Sequence, residues 1–170
     1  MPTDVAPTAA AMAADPRMAS WRAFLQAHAR LTRRLDDELR AAHGMSLGEY
    51  DALVQLSAAP SRRLRMSVLA DRVLLSRSGI TRLVDRLVAD GMVERSTCVT
   101  DARGAEAALT RAGLERLREA STTHLDGVRR YFLETVDAGD QRSIERGLCR
   151  VIDSLDTAGS SPAADATAEL

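Results

Sequence analysis

The most constraining feature of the sequence is a pair of short helical segments separated by about three residues. The first segment, with Ser67 as its predicted N-cap, carries four apolar residues at helical spacing: Leu69, Ala70, Val73 and Leu74. The second segment is predicted to begin after Ser76 and to end at Gly91, because glycine readily adopts the left-handed conformation beyond a helix end. A turn of this length is typical of a helix-turn-helix.

A β-hairpin is predicted directly after this pair. Residues 92–97 and 105–109 have strand character, and the polar stretch 98–104 between them contains a glycine. A further brief strand fits within residues 62–66. The sequence therefore predicts a mainly α protein with a small β wing, which is a winged helix-turn-helix.

Further helices are predicted before this lobe. Apolar residues recur every three or four positions from Trp21 to about Ala42, and Gly44 ends the helix that they define. Ser46 and Glu49 have the spacing of a capping box, which predicts the start of a second helix.

Two more helices are predicted after the hairpin. Thr110 is a candidate N-cap for a long fifth helix, and Asp137 with Asp140 suits the start of a sixth. The sixth helix carries a wide apolar stripe: Ile144, Leu148, Val151, Ile152 and Leu155. A small winged-helix core would not cover such stripes, so we expect them to be buried against a second copy of the chain. The alternative is that these helices close a larger monomeric core.

The charge of the chain is unevenly distributed. All 23 basic residues are arginine, and residues 61–111 carry ten of them against six acidic residues, a net charge of +4. The preceding and following segments carry −1 and −4. A basic middle between acidic flanks is typical of a local polyanion-binding surface, although a solvated charged face gives the same pattern.

The second helix of the pair has one apolar and one polar face. Its apolar face is formed by Ile80, Leu83, Val84, Leu87 and Val88. The opposite face carries Arg77, Ser78, Thr81, Arg82, Asp85 and Arg86. A helix fits the major groove of B-DNA, where arginine pairs with guanine and hydroxyl groups meet bases or phosphates. The alternative is a solvated face stabilised by local pairs such as Asp85 with Arg82.

Several other classes of protein lack support in the sequence. No GxSxG, HExxH or glycine-rich phosphate loop is present, and the three histidines are not at metal-ligand spacing, so we expect neither an enzyme nor a bound metal or cofactor. Cys98 and Cys149 form no CxxC motif and are expected to be free thiols. No apolar run approaches 18 residues and no signal-peptide pattern is present, so a cytoplasmic protein is expected.

The ordered motifs of the central region resemble the MarR family of bacterial transcriptional regulators. They are the runs 69–73 (LADRV), 76–87 (SRSGITRLVDRL), 91–95 (GMVER), 101–103 (DAR) and 109–113 (LTRAG). The resemblance covers about residues 21–155 and implies a homodimer whose N- and C-terminal helices interlock. It also implies that the helix predicted between Ser76 and Gly91 is the recognition helix and that Arg103 is the wing arginine, positioned with help from Asp101.

The predicted interface follows from these observations. The residues expected to contact DNA are Ser76, Arg77, Ser78, Thr81, Arg82, Arg86, Asp101 and Arg103. An arginine on a thin loop such as Arg103 reaches the minor groove, although the same residue is also found as an ordinary loop arginine. A two-fold dimer would place two recognition helices about 34 Å apart, which predicts an inverted-repeat operator.

Members of the resembled family commonly respond to small aromatic or phenolic molecules. In this sequence the candidates for such an effector site are Trp21, His28, Tyr50 and Asp51, each of which also fits a role in the core. The expected function is a homodimeric repressor released by such an effector. The alternative is a winged-helix module for protein–protein interaction without specific DNA binding.

The domain boundaries follow from composition. Residues 1–16 and 157–170 are predicted to be disordered, and 17–156 to form the folded domain. Within that domain, 46–109 is the predicted DNA-binding lobe, and 17–43 and 110–156 are the predicted dimerisation helices.

Overall fold

The computed structural model describes residues 15–16, 18–98 and 101–159, with the backbone alone at 97–98, 101–104 and 158–159. Most of the predicted disordered extension and of the predicted tail lies outside the described residues. The six α-helices described are α1 (Met18–His43), α2 (Leu47–Ala58), α3 (Met66–Arg72), α4 (Arg77–Ala89), α5 (Arg111–Val128) and α6 (Ala138–Gly159). The three strands described are β1 (Arg63–Arg65), β2 (Val93–Cys98) and β3 (Asp101–Leu109). This confirms the predicted fold class.

The strands form one antiparallel sheet in the order β1-β3-β2. Ala107 of β3 pairs with Leu64 of β1 on one side and with Arg95 of β2 on the other. The predicted hairpin and the predicted brief strand are therefore parts of a single sheet, with α3 and α4 inserted between β1 and β2.

Side-chain caps begin most of the helices where the sequence predicts them. The Ser46 hydroxyl accepts from the Glu49 amide, and the Glu49 carboxylate accepts from the Ser46 amide, which completes the capping box of α2. The Ser76 hydroxyl accepts from the Gly79 amide at 3.1 Å and starts α4. Thr110 caps α5 in the same way through the Gly113 amide at 2.9 Å.

The sixth helix also begins as predicted. The Asp137 carboxylate accepts from the amides of Gly139 and Asp140 at 2.8 and 2.9 Å. These hydrogen bonds hold the pKa of Asp137 below its usual value. A carboxylate at this end of a helix is favoured by the free amides there.

The start of α3 differs from the prediction. Ser67 is the second residue of this helix rather than its cap, and Arg65 stands at the N-cap position without a side-chain hydrogen bond. The reason is that β1 is paired with β3 as far as Arg65, opposite Glu106, so the chain passes directly from strand to helix. Leu74 was also expected on the apolar face of this helix, but it lies beyond the helix end and is 90% exposed.

The turn before α1 and the last residues of α6 include residues that were predicted to be disordered. The carbonyl groups of Asp15 and Pro16 accept hydrogen bonds from the amides of Met18 and Ala19, so these two residues form the turn that leads into α1. At the other end α6 continues to Gly159. There the Thr157 hydroxyl donates to the Asp153 carbonyl group at 2.8 Å, as a residue inside a helix does.

The chain divides between Gly127 and Val128 into two compact units. The core of the first unit combines residues from α1 to α5 and from all three strands. Its members include Leu39, Leu53, Leu56, Leu64, Leu69, Ile80, Leu87, Val93, Ala107 and Leu117. The second unit begins with a π-helical turn, Arg129–Leu133, and contains α6. No helix among the described residues is both long and apolar enough to span a membrane.

One glycine shows how closely α5 is packed on the sheet. A Cβ atom at Gly113 would lie 2.1 Å from the Met92 carbonyl oxygen and 2.8 Å from the Leu109 side chain. The start of α5 is therefore in contact with the start of β2, and only glycine fits at the point of contact.

Candidate nucleic-acid interface

The N-terminal half of α4 presents a polar surface to solvent. Ile80, Leu83, Val84 and Leu87 are buried, which orients the helix on the core. The residues on the other side are all exposed: Ser76, Arg77, Ser78, Thr81 and Arg82. Val88, which was predicted on the apolar face, is partly exposed near the helix end.

Hydrogen bonds within the helix hold the hydroxyl groups of this surface. Thr81 donates to the Arg77 carbonyl group at 2.9 Å, and the hydroxyl oxygens of Ser76 and Ser78 are 3.3 Å apart. Among the described residues, the Arg77 and Arg82 side chains have no acidic partner. These two guanidinium groups are therefore positive charges of α4 that remain available to a ligand, Arg77 at the first position of the helix and Arg82 in its middle.

Arg86 is placed differently from the other predicted arginines. Its Nε atom donates to the Glu49 carboxylate at 2.7 Å, so the side chain connects α4 to the start of α2. Glu49 is almost completely buried, and burial alone would raise its pKa. The hydrogen bonds from Ser46 and Arg86 outweigh that effect and hold the pKa of Glu49 below its usual value. Arg86 thus stabilises the charged form of a buried carboxylate and fixes the position of α4.

A second ion pair connects α4 to the wing. Asp85 pairs with Arg95 of β2 at 2.8 Å rather than with Arg82. Arg95 also donates to the Thr81 carbonyl group at 3.4 Å. Arg95 was not among the predicted site residues, although it lies in one of the motifs that carry the family resemblance.

The wing begins at the hairpin of β2 and β3. Asp101 and Arg103 belong to the N-terminal end of β3, and their side chains lie outside the described residues. The same applies to the side chain of Cys98. Nearer the base of the hairpin, Ser96 pairs with Glu106, and Arg63 of β1 donates to the Ser96 hydroxyl at 3.2 Å. The base of the wing is therefore held by all three strands.

The predicted effector residues fall into two groups with different contacts. Trp21 is half exposed and packs against Phe24, with ring centroids 5.9 Å apart, and Phe24 packs in turn against His28 at 6.2 Å. These three rings form a ladder on the N-terminal half of α1. Tyr50 is instead buried, and its partner is a different histidine.

That partner, His124, was missed by the sequence analysis. Its ring centroid lies 4.4 Å from that of Tyr50, and the Tyr50 hydroxyl is 3.4 Å from the Ser121 hydroxyl. Partial desolvation lowers the pKa of His124 and raises that of the Asp51 carboxyl group, and the attraction between the two groups opposes both shifts. Nδ1 of His124 is buried and has no hydrogen-bond partner among the described residues.

A cavity of about 300 Å³ lies where α1, α2, α4 and α5 approach one another. Its lining residues include Glu49, His43 and Arg116. Arg116 donates to the His43 carbonyl group and pairs with Glu119 at 3.2 Å. The cavity is thus adjacent to the Glu49–Arg86 ion pair that holds α4.

A three-stranded wing, a capped amphipathic α4 and a basic exposed face together define a winged helix-turn-helix protein. A family model described as MarR family matches residues 43–104, from the end of α1 into the wing. The Streptomyces coelicolor regulator Sco3205, solved in complex with DNA, is 33% identical, with 88% of this chain and 94% of that chain covered and a TM-score of 0.77. The chain belongs to the MarR family of transcriptional regulators, which are not enzymes.

Two further relatives agree with this assignment. AbsC of the same organism, also a MarR family regulator, is 29% identical, with 90% of this chain and 99% of that chain covered and a TM-score of 0.77. The HTH-type transcriptional repressor YetL of Bacillus subtilis is 33% identical over 88 residues. That match covers 52% of this chain and 53% of YetL, so the chain spans about half the length of this relative.

Proposed function

We propose that the protein is a sequence-specific DNA-binding regulator that reads the major groove with α4. The observation that carries the proposal is the pair of exposed arginines, Arg77 and Arg82, which have no acidic partner among the described residues. Arginines on a structured helix that lack internal partners are suited to guanine edges and phosphates. The DNA-bound structure of Sco3205 supports the same reading.

The roles of the other predicted contacts follow from their positions. Ser76, Ser78 and Thr81 lie near the N-terminal end of α4, where hydroxyl groups and free amides suit backbone phosphates. Arg103 of the wing, with Asp101 beside it in the chain, is proposed to reach the minor groove. Arg86 is ion-paired with Glu49, so we assign it the positioning of α4 rather than a base contact.

We propose further that the active form is a homodimer. The α6 residues Val151, Ile152 and Leu155 are 53%, 56% and 65% exposed, and an apolar stripe of this kind is rarely left in water. A second copy offers an equal stripe, and a two-fold arrangement buries both. The same symmetry places two α4 helices about one turn of DNA apart, which predicts an inverted-repeat operator.

The sign of regulation and the effector are also proposals. The name of YetL supports repression.

Release by a small aromatic or phenolic molecule fits the aromatic side chains of the chain. Tyr50 and Asp51 would contribute to such a binding site together with His124, whereas Trp21 and His28 would contribute from the α1 ring ladder. Such a molecule relieves repression only if it binds better to a form whose α4 helices are wrongly placed for DNA. We propose a cytoplasmic location, because a regulator of this kind acts on the bacterial chromosome.

The test is selection of bound duplexes from a random DNA pool at about 150 mM salt, where nonspecific phosphate binding is weak. We expect an enriched inverted repeat for the wild type and a loss of roughly 1–3 kcal/mol in specific binding for Arg82→Ala. Arg111→Ala is the matched control, because it removes an equal charge from a side chain that is 92% exposed beside the opposite end of α4.

Two results would contradict the proposal. The first is a wild type that enriches no duplex, and the second is an Arg82→Ala variant that enriches the same duplex with unchanged affinity. Either result would favour a winged-helix module for protein–protein interaction, which was the alternative left open by the sequence.

A further inference from the structure

Leu74, in the turn between α3 and α4, has two unusual properties. Its φ angle is 56°, in the left-handed region, and its side chain is 90% exposed. The Leu75 amide donates to the Ala70 carbonyl group at 2.9 Å, and the Leu74 amide donates to that of Asp71 at 3.3 Å. This pair of hydrogen bonds is the Schellman pattern, and Leu74 occupies the left-handed position in it that glycine usually takes.

Other helices of the chain end in the expected way. Gly44 follows α1 with a φ of 63°, and Gly91 follows α4 with a φ of 71°. A Cβ atom makes this conformation unfavourable, and a fully solvated leucine gains no packing to compensate. Leucine is therefore an unfavourable residue for the fold at this turn, where glycine would be strain-free.

The turn places Leu74 close to the start of α4. Leu74 is two residues before Ser76, the N-cap of α4, so its Cα atom lies within about 7.6 Å of the helix start. Under the proposed function this end of α4 enters the major groove. The apolar group that the base edges present in that groove is the C5-methyl group of thymine.

We propose that Leu74 is a specificity-determining residue that contacts a thymine methyl group at the edge of the major groove. The inference rests on the proposed DNA-binding function. The proposed Leu74 contact is apolar and is made by a strained residue of the turn, whereas the contacts proposed for the arginines of α4 are made by charged groups. Each half-site of the operator would then contain one thymine whose methyl group is read by Leu74.

The experiment is a double-mutant cycle between protein and DNA. Each thymine of the selected duplex is replaced singly by deoxyuridine, which lacks only the methyl group, and affinity is measured for the wild type and Leu74→Gly. We expect one thymine per half-site at which the wild type loses roughly 3- to 10-fold in affinity, the amount expected for one or two apolar carbon groups. Leu74→Gly should bind the thymine duplex with a similar loss and should not respond to deoxyuridine at that position.

Two further measurements separate this contact from a change in folding. Leu74→Gly should unfold at a temperature no lower than the wild type, because glycine relieves the backbone strain. Leu74→Met keeps an apolar side chain and should retain both the affinity and the response to deoxyuridine. A loss of DNA affinity without a loss of stability is a result that a purely structural role does not give.

The inference is overturned if no thymine shows the coupling, or if Leu74→Gly binds the duplex as tightly as the wild type. These failures are distinct from failure of the proposed function, in which the wild type itself enriches no duplex. In that case the inference falls as well.

Discussion

Helices α4 and α6 have similar apolar stripes in the sequence but different surroundings in the structure. Ile80, Leu83, Val84 and Leu87 of α4 are between 0 and 4% exposed, since α1 to α3 and the sheet complete a core around them. The stripe of α6, from Ile144 to Leu155, is between 37 and 65% exposed. The same periodicity therefore describes a helix that is buried by its own chain and a helix whose apolar stripe is exposed in the single chain, for which we propose a second chain as the partner. The two helices differ in how exposed their apolar side chains are, and this exposure cannot be derived from the sequence pattern.

The largest effect is expected on the α4 side of this comparison. Leu87 is fully buried, so Leu87→Ala should lower the free energy of unfolding by about 2–5 kcal/mol through lost burial and the cavity left behind. Urea denaturation measures this loss, and Val88→Ala, at the partly exposed neighbouring position, is the control and should change stability much less. Equal losses at the two positions would contradict the burial described for α4.

A smaller effect, of a different kind, is expected on α6. Ile152→Asp places a charge in the exposed stripe and should weaken self-association by at least about tenfold, which corresponds to about 1.4 kcal/mol. Sedimentation equilibrium at micromolar concentration should show a dimer for the wild type and monomer for the variant.

The control for this experiment is Ser154→Asp. It introduces the same carboxylate two residues away, about 200° around the helix, outside the stripe. This variant should remain dimeric. A wild type that is monomeric at micromolar concentration would remove the dimer from the proposed function.

Features determined by neighbouring residues were predictable from the sequence. The capping box at Ser46 and Glu49 and the caps at Ser76 and Thr110 are confirmed, because each joins residues three positions apart. The winged helix was predictable for the same reason, because the motifs that carry the family resemblance are short stretches of consecutive residues. The exception was Ser67, where pairing of β1 as far as Arg65 moved the start of α3.

Contacts between distant residues were not predictable in this way. Glu49 and Arg86 are 37 positions apart, and Tyr50 and His124 are 74 apart, so no local pattern connects them. Arg86 was consequently predicted to contact DNA from its place on the polar face of α4. In the structure Arg86 is paired with the buried Glu49 carboxylate. The residues on one helix face do not by themselves reveal which arginines are already paired with an acidic group elsewhere in the chain.

The smallest effect that we predict concerns this ion pair and tests how α4 is held. Glu49→Gln removes the negative charge but keeps the size of the side chain, and it should lower the free energy of unfolding at neutral pH by roughly 1 kcal/mol. Asp85→Asn is the matched control, because the Asp85–Arg95 pair is more exposed and should contribute less.

The pH dependence gives the sharper test of the same pair. The pKa of Glu49 in the folded protein lies below the ordinary value of 4.5, so the unfolded chain takes up its proton first as the pH falls. The stability that the charged carboxylate contributes is present above about pH 4.5 and is lost as the pH falls through the lowered folded pKa. Urea denaturation between pH 7 and pH 3 should therefore show a steeper acid loss for the wild type than for Glu49→Gln. Identical slopes would mean that Glu49 is not stabilised by Arg86 in solution, and α4 would then be held by its apolar face alone.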